Sequence, residues 1–187
     1  MKVGIDSYSY HRYFGEIYPF QRDPGKRWTA TDFVDRAIEL GADGVSLETC
    51  FLPCFDSDFM QLLKKQLDRH GLDRVLAWGH PDGLEGGRNS EALQDLIRHI
   101  GVANALGAPV MRIVGSSLRF RHEPTGPQIE RLSQLLTEAV RVAENQNVIL
   151  AIENHIDFTA GEILTLIERV GSKYLGVNFD TGNALRL

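Results

Sequence analysis

The chain has 187 residues and a formal net charge of −5, with 43% hydrophobic and 24% charged residues. These proportions are typical of a folded globular domain and exclude disordered and fibrous classes. No run approaches 18 consecutive apolar residues, and no basic tract is present, so we expect neither a membrane-spanning helix nor a nucleic-acid partner.

Short β-branched runs alternate with longer amphipathic runs along the whole chain. The predicted strands are Lys2–Asp6, Gly44–Glu48, Arg74–Trp78, Pro109–Val114, Asn147–Glu153 and Leu175–Asp180. The predicted helices are Thr31–Leu40, Asp58–His70, Ser90–Leu106, Gln128–Glu144 and Gly161–Val170. This alternation indicates βαβ units and a parallel sheet.

Capping residues support these helices. Ser90 is predicted as an N-cap, and Thr159 with Glu162 forms a Thr-x-x-Glu capping box. Glycines follow four of the predicted helices at the position where a helix commonly ends, namely Gly41, Gly71, Gly107 and Gly171.

The two faces of the predicted strands differ in character. In the fifth strand Val148, Leu150 and Ile152 share one face, as expected under a layer of helices. Polar side chains share the opposite faces, among them Ser46, Glu48, Arg112, Glu153, Asn178 and Asp180. A doubly wound sheet would have apolar strands on both faces, so this pattern favours the interior or mouth of a barrel.

A complete (β/α)8 barrel typically needs about 250 residues. We therefore predict a single α/β domain over residues 1–187, an incomplete TIM-type barrel of about six βα units that is truncated at its C-terminal side. Buried charges need partners, so Glu48 and Arg112 are candidates for an ion pair across the interior.

Carboxylates and histidines are concentrated where the predicted strands end, which is where parallel barrels place their active sites. Glu153 and Asp180 end neighbouring strands, so their carboxylates could share one cation. Two oxygen donors suit Mn²⁺ or Mg²⁺, with Co²⁺ also possible. Each carboxylate could instead cap the turn that follows its strand.

Two segments also carry a family resemblance: VILAIENH at 148–155, followed by Thr159-x-x-Glu162, and YLGVNFDTGN at 174–183. They resemble the sugar phosphate isomerase/epimerase superfamily, the xylose isomerase-like TIM barrels. The resemblance implies a divalent metal, most commonly Mn²⁺, held by Glu on strand five, Asp on strand six, His on strand seven and Glu on strand eight. Glu153 and Asp180 match the first two, and the other two would lie beyond Leu187.

The resemblance further implies proton transfer beside a sugar carbonyl through a cis-enediolate, with Glu153 as a catalytic base. His80 and His155 would contact substrate hydroxyls or metal-bound water, although either could instead stabilise its loop or orient a ligand. Family epimerases often have His three residues after the strand-six Asp, where this chain has Asn183. Glu48, Arg112, Asn183 and Tyr8 complete the predicted substrate-binding set.

Other functions remain open on the same scaffold. One is dehydration of a keto-inositol or dehydroshikimate-type substrate, and another is a non-catalytic truncated barrel. An endonuclease IV-like phosphodiesterase is disfavoured, because it needs many histidine ligands and a basic surface for DNA.

The remaining expectations concern partners and location. The segment Ser7–Trp28 is a long loop rich in aromatic residues, which could form a wall or lid over a sugar, pack on the scaffold or contact a second copy. Strands one and six are predicted open edges, so we expect a homo-oligomer. Cys50 and Cys54 lack Cys-x-x-Cys spacing, and no signal peptide is recognised, so a cytoplasmic protein with free thiols is expected.

Overall fold

A computed structural model describes residues 1–185 of the chain. Within them it contains six strands, β1 (Gly4–Asp6), β2 (Gly44–Glu48), β3 (Asp73–Ala77), β4 (Val110–Ile113), β5 (Ile149–Glu153) and β6 (Leu175–Asn178). The α-helices are α1 (His11–Phe14), α2 (Ala30–Glu39), α3 (Ser57–Arg69), α4 (Ser90–Leu106), α5 (Thr125–Asn145) and α6 (Ala160–Val170). No helix in the described part of the chain is long and apolar enough to span a bilayer.

The strands form one parallel sheet in the order β1-β2-β3-β4-β5-β6, with at least one helix between each pair of neighbours. Sequential parallel order with helical crossovers is the arrangement of a TIM-type barrel, so the predicted fold class is confirmed. Among residues 1–185, β1 and β6 each pair with a single strand, as predicted. The homo-oligomer that we expect from these edges stays a prediction.

The predicted helix ends are largely confirmed. Thr159 and Glu162 form the capping box of α6: the Thr159 backbone N donates to Glu162 Oε2 at 2.7 Å, and the Glu162 backbone N donates to Thr159 Oγ1 at 3.4 Å. The prediction of Ser90 as an N-cap is wrong by one residue. Asn89 caps α4, because its Oδ1 accepts from the backbone N of Ala92 at 2.9 Å.

The register of the sheet separates two faces. Five residues of one row are all buried beneath the helices: Leu47, Leu76, Met111, Leu150 and Leu175. Burial of each such side chain contributes about 1.5–3 kcal/mol. The next row points the opposite way and contains Glu48, Ala77, Arg112, Ala151 and Gly176. The small side chains of Ala77 and Ala151 lie on either side of Arg112 and leave room for its guanidinium on the concave face of the sheet.

The apolar face of β6 is covered only in part. Val177 is 44% exposed, and Phe179, just after the strand, is 65% exposed. The helix α6 contacts α5 and β6, and Leu175 at the start of β6 is buried. No element within residues 1–185 covers the remaining part of this face.

The segment Ser7–Trp28 is more ordered than a loop, since it contains a 3-10 turn at Ser7–Tyr10 and the short helix α1. Part of its aromatic cluster packs on the scaffold, with the Tyr10 ring centroid 4.8 Å from Trp28 and 6.0 Å from Phe33. Tyr8 and Tyr18 instead line a cleft. Packing therefore accounts for some of these rings and leaves others available to a ligand.

Candidate functional site

A cleft of about 830 Å³ opens at the carboxyl ends of the strands. All eight side chains predicted as site residues line it: Tyr8, Glu48, His80, Arg112, Glu153, His155, Asp180 and Asn183. They come from six different βα segments, which the parallel sheet brings to one edge. The structure thus brings the predicted residues together, and their roles stay predictions.

Arg112 lies at the centre of the cleft floor between two carboxylates. Its Nη2 donates to Glu48 Oε1, and its Nη1 lies 3.2 Å from Glu153 Oε2. Glu48 is 5% exposed and Glu153 is 8% exposed. The predicted pairing of Glu48 with Arg112 is present, and the second pairing with Glu153 was not predicted.

Burial and the neighbouring charges change the pKa values of Glu48 and Arg112. It raises the pKa of Glu48 to about 7, although the positive charge of Arg112 acts in the opposite direction. Burial by itself would lower the pKa of Arg112, but attraction to Glu48 and Glu153 outweighs it and raises the pKa above its ordinary value. The guanidinium is therefore a fixed charge, whereas Glu48 can change protonation near neutral pH.

The position of Asp180 is held by the buried side chain of Asn154, which follows β5. The Asp180 backbone N donates to Asn154 Oδ1 at 2.6 Å, and Asn154 Nδ2 donates to the Asp180 carbonyl at 2.8 Å. This double contact ties the end of β6 to the end of β5. No role for Asn154 was predicted from the sequence.

Asn183 joins the two predicted metal ligands. Its Nδ2 donates to Glu153 Oε1 at 3.1 Å and to Asp180 Oδ2 at 3.0 Å. The two carboxylates therefore face one common position, and their hard oxygen donors fit Mn²⁺, Mg²⁺ or Co²⁺. No three His, Cys, Asp or Glu side chains within residues 1–185 form a metal-binding group. The further His and Glu ligands were predicted beyond Leu187, outside the described residues.

The two cleft histidines each present an unused nitrogen. The Nδ1 atoms of His80 and His155 are buried and have no hydrogen-bond partner within residues 1–185. The His80 ring stacks on Trp78 with centroids 5.1 Å apart, and Trp78 Nε1 donates to Asp95 Oδ2 at 2.8 Å. A buried nitrogen without a partner is costly, so each atom suits an enclosed water.

Tyr8 lies at the rim of the cleft with two residues that the sequence did not single out as ligand-binding groups. Its hydroxyl bonds to the Tyr18 hydroxyl and donates to Glu16 Oε1 at 3.2 Å. Burial, followed by the hydrogen bond to Tyr18, raises the pKa of Tyr8, so the phenol stays protonated. The rim therefore combines aromatic rings with a polar edge, as small-molecule sites commonly do.

Asp157 is a buried acid below the cleft that was also missed. Its Oδ2 accepts from the backbone N of Ser116 at 2.8 Å, and its Oδ1 accepts from the backbone N of Phe158 at 2.9 Å. The bond from Ser116 joins the loop after β4 to the loop after β5. Burial outweighs the hydrogen bonds and raises the pKa of Asp157 to about 7.

The raised pKa values predict an unusual dependence of stability on pH. Glu48 and Asp157 keep a proton in the folded state well above their ordinary values of 4.5 and 3.8. Their contribution to stability is therefore full below about pH 4 and is lost as pH rises through about 7. We expect the free energy of unfolding, measured in urea, to fall between pH 5 and pH 8, with about 2 kcal/mol of the fall due to Asp157.

The substitution Asp157→Asn tests this, because asparagine stays neutral and should flatten the fall. The matched control is Asp56→Asn at the exposed N-cap of α3, where the carboxyl pKa is lowered and asparagine also caps well. In this control variant the free energy of unfolding should fall between pH 5 and pH 8 by as much as in the wild type. An Asp157→Asn profile parallel to the wild type would contradict the account.

Comparison with known proteins supports the same fold. Residues 34–187 match the family described as xylose isomerase-like TIM barrel. Similar solved structures include a D-tagatose 3-epimerase-like protein (TM-score 0.74, 18% identity, 98% of this chain and 66% of that chain). An L-ribulose 3-epimerase has a TM-score of 0.75 and 20% identity, over 100% of this chain and 63% of that chain. The probable 3-DHS dehydratase AsbF from Bacillus anthracis has a TM-score of 0.69 and 14% identity, over 100% of this chain and 65% of that chain.

The chain spans 63–66% of the length of these structures. No curated protein sequence matches it. At 14–20% identity the structural likeness concerns the fold, while the family match extends over most of the sequence. The chain therefore belongs to the xylose isomerase-like TIM barrel family.

Proposed function

We propose that this protein is a metal-dependent isomerase or epimerase of a sugar, with Glu153 as the residue that removes a proton beside the carbonyl. The observation that supports this most is the placement of Glu153, a buried carboxylate at the end of β5 that faces an 830 Å³ cleft. Its Oε2 is held by Arg112 and its Oε1 is held next to Asp180 through Asn183. A base fixed in this way can approach a bound substrate in one orientation.

The other cleft residues bind and orient the sugar. The imidazoles of His80 and His155 line the cleft and bind substrate hydroxyls, and the Tyr8 ring contacts the apolar C–H face of the sugar. Removing the proton next to a ketose carbonyl gives an enediolate. Returning a proton to the opposite face of the same carbon inverts it, whereas returning it to the neighbouring carbon moves the carbonyl.

Glu153 and Asp180 would hold the divalent metal, Mn²⁺ in the first instance, which would polarise the carbonyl oxygen as a Lewis acid. Arg112 supports this arrangement from the other side, because it holds Glu153 Oε2 and leaves Oε1 directed at the position shared with Asp180.

The charges of the cleft favour a sugar without a phosphate group. Among residues 1–185, five carboxylates line it, from Asp6, Glu16, Glu48, Glu153 and Asp180, against the one guanidinium of Arg112. That guanidinium is already paired with Glu48 and Glu153. A phosphate would be repelled, whereas the hydroxyls of a neutral ketose can donate to these oxygens.

A dehydratase remains a second candidate, because AsbF, a probable 3-DHS dehydratase, shares the fold. Both reactions begin with removal of a proton beside a carbonyl. They differ in the next step, since the dehydratase expels a hydroxyl from the adjacent carbon instead of receiving the proton back. The products therefore distinguish them.

The test is incubation of the purified protein with Mn²⁺ and a panel of substrates, followed by chromatography. The panel contains D-tagatose and L-ribulose, the sugars in the names of two structural neighbours, with a ketose phosphate and 3-dehydroshikimate. We expect an epimer or aldose from a free ketose and slower turnover of the phosphate. Conversion of 3-dehydroshikimate alone would favour the dehydratase, and no conversion at all would contradict both.

A further inference from the structure

The four carboxylate oxygens of Glu153 and Asp180 do not all have the same partner, and two of them accept from the side-chain amide of Asn183. Glu153 Oε2 is taken by Arg112, and Asp180 Oδ1 accepts the backbone N of Asn183 at 2.9 Å. Glu153 Oε1 and Asp180 Oδ2 are the remaining pair, and both accept from Asn183 Nδ2. The oxygens available to a shared cation are thus the two that the Asn183 amide occupies.

Only the nitrogen end of the Asn183 amide can make these contacts, because ionised carboxylates accept hydrogen bonds and do not donate them. The amide NH₂ group lies 3.1 Å and 3.0 Å from the two oxygens and places partial positive charge between them. Hydrogen bonds to ionised acceptors are among the stronger ones in proteins. The amide therefore relieves the repulsion that the two carboxylates would otherwise have.

We propose that Asn183 is an internal substitute for the divalent cation: its amide holds Glu153 and Asp180 together in the metal-free protein and must move away when a metal binds. This inference rests on the metal dependence in the proposed function and adds a competitor built into the chain. Metal binding exchanges two charge-assisted hydrogen bonds for two metal–oxygen contacts. The affinity for metal is consequently lower than the carboxylates alone would provide.

A neighbouring asparagine provides the matched control. Asn178 is the register partner of Glu153 on β6 and lines the same cleft. Within residues 1–185 its side chain makes no hydrogen bond to either carboxylate, in contrast to Asn183. Replacing each with alanine removes the same amide from the same cleft, and only one replacement removes the competitor.

The experiment is calorimetric titration of Mn²⁺ into the wild-type protein, Asn183→Ala and Asn178→Ala, without substrate. Circular dichroism checks that the folds agree, and we expect them to, since Asn183 lies in a partly exposed 3-10 turn at Asn183–Leu185 rather than in the core. We expect Asn183→Ala to bind Mn²⁺ about tenfold more tightly than the wild type, corresponding to the net loss of about one strong competing hydrogen bond. Asn178→Ala should stay close to the wild-type affinity.

Two failures are distinguishable. If the wild type binds Mn²⁺ and Asn183→Ala binds equally or more weakly, Asn183 is not a competitor, and weaker binding would make it a metal ligand through its Oδ1. If neither the wild type nor Asn183→Ala binds Mn²⁺, the metal dependence of the proposed function is overturned together with this inference.

Discussion

Replacing Arg112 with methionine is expected to lower the free energy of unfolding at pH 8 by about 3–5 kcal/mol, since a buried charge pair loses one partner. The substitution leaves Glu48 and Glu153 buried near each other with no guanidinium between them. Methionine keeps much of the side-chain volume, so the loss reports mainly on charge. Urea denaturation at fixed pH provides the measurement.

The loss should depend on pH in a defined direction. Burial already raises the pKa of Glu48 to about 7, and removal of Arg112 takes away a charge that favours the ionised form. Below pH 6 the variant can protonate Glu48 and escape part of the cost, so the difference from wild type should shrink on acidification. The double variant Glu48→Gln/Arg112→Met should recover part of the stability for the same reason.

The control is Arg169→Met, which removes an ion pair with Glu130 in which both partners are about half exposed. Exposed pairs contribute about 0–1 kcal/mol, because water screens them and both side chains lose freedom. An Arg112→Met loss as small as that of this control at pH 8 would show that the central guanidinium does not hold the cleft together.

Replacing Glu153 with glutamine is expected to reduce kcat on a converted ketose by about 10²–10⁴-fold, the range for loss of a general acid or base. Glutamine keeps the length and one oxygen of the side chain but cannot take a proton from carbon. Initial rates from chromatography measure the effect. Glu144→Gln, an exposed position on α5 outside the cleft, should retain wild-type rates.

The stability of Glu153→Gln separates chemistry from folding. If the variant unfolds in urea near the wild-type midpoint yet converts ketose at the wild-type rate, Glu153 is not the base. The same result would assign proton removal to another cleft residue. A large loss of rate in a folded variant is the outcome that we expect.

Much of the fold could be predicted because each element has a local signature. The positions of six strands and five helices follow from hydrophobic periods of 2 and 3.6, and the capping box at Thr159 from a spacing of three. The helix α1 was missed, since four residues within an aromatic segment are too few for a periodic pattern. Asn89 and Ser90 are both good N-caps, so the sequence could not choose between adjacent candidates.

The candidate site was predictable where residues share a strand end, and less so where contacts cross between strands. Placing the polar strand ends at one edge of the sheet was enough to bring Glu153, Asp180 and His80 to one cleft. The bridging of two carboxylates by Asn183 depends on distances across β5 and β6, which only the folded structure supplies. Tyr18 was expected only as one ring of the aromatic segment Ser7–Trp28, and Glu16 was missed because a chain reversal within that segment returns it to the rim.

The buried acid Asp157 could not be predicted from the sequence for a different reason. Its raised pKa results from burial beneath two loops, and its partner Ser116 lies 41 residues earlier in the chain. A single Asp after a strand reads equally well as a solvated turn residue. A sequence signal was present only in the adjacent Phe158, an apolar loop residue that turns out to be buried.

The central claim is that the cleft removes a proton from the carbon beside a sugar carbonyl, and solvent exchange tests it most directly. The protein is incubated with a free ketose and Mn²⁺ in D₂O, and deuterium on that carbon is followed by NMR. We predict that the wild type incorporates deuterium into at least one free ketose and that Glu153→Gln does so at least a hundredfold more slowly, at the lower end of the range of about 10²–10⁴ for a lost base. No exchange by the wild type, or equal exchange by the variant, would contradict the claim.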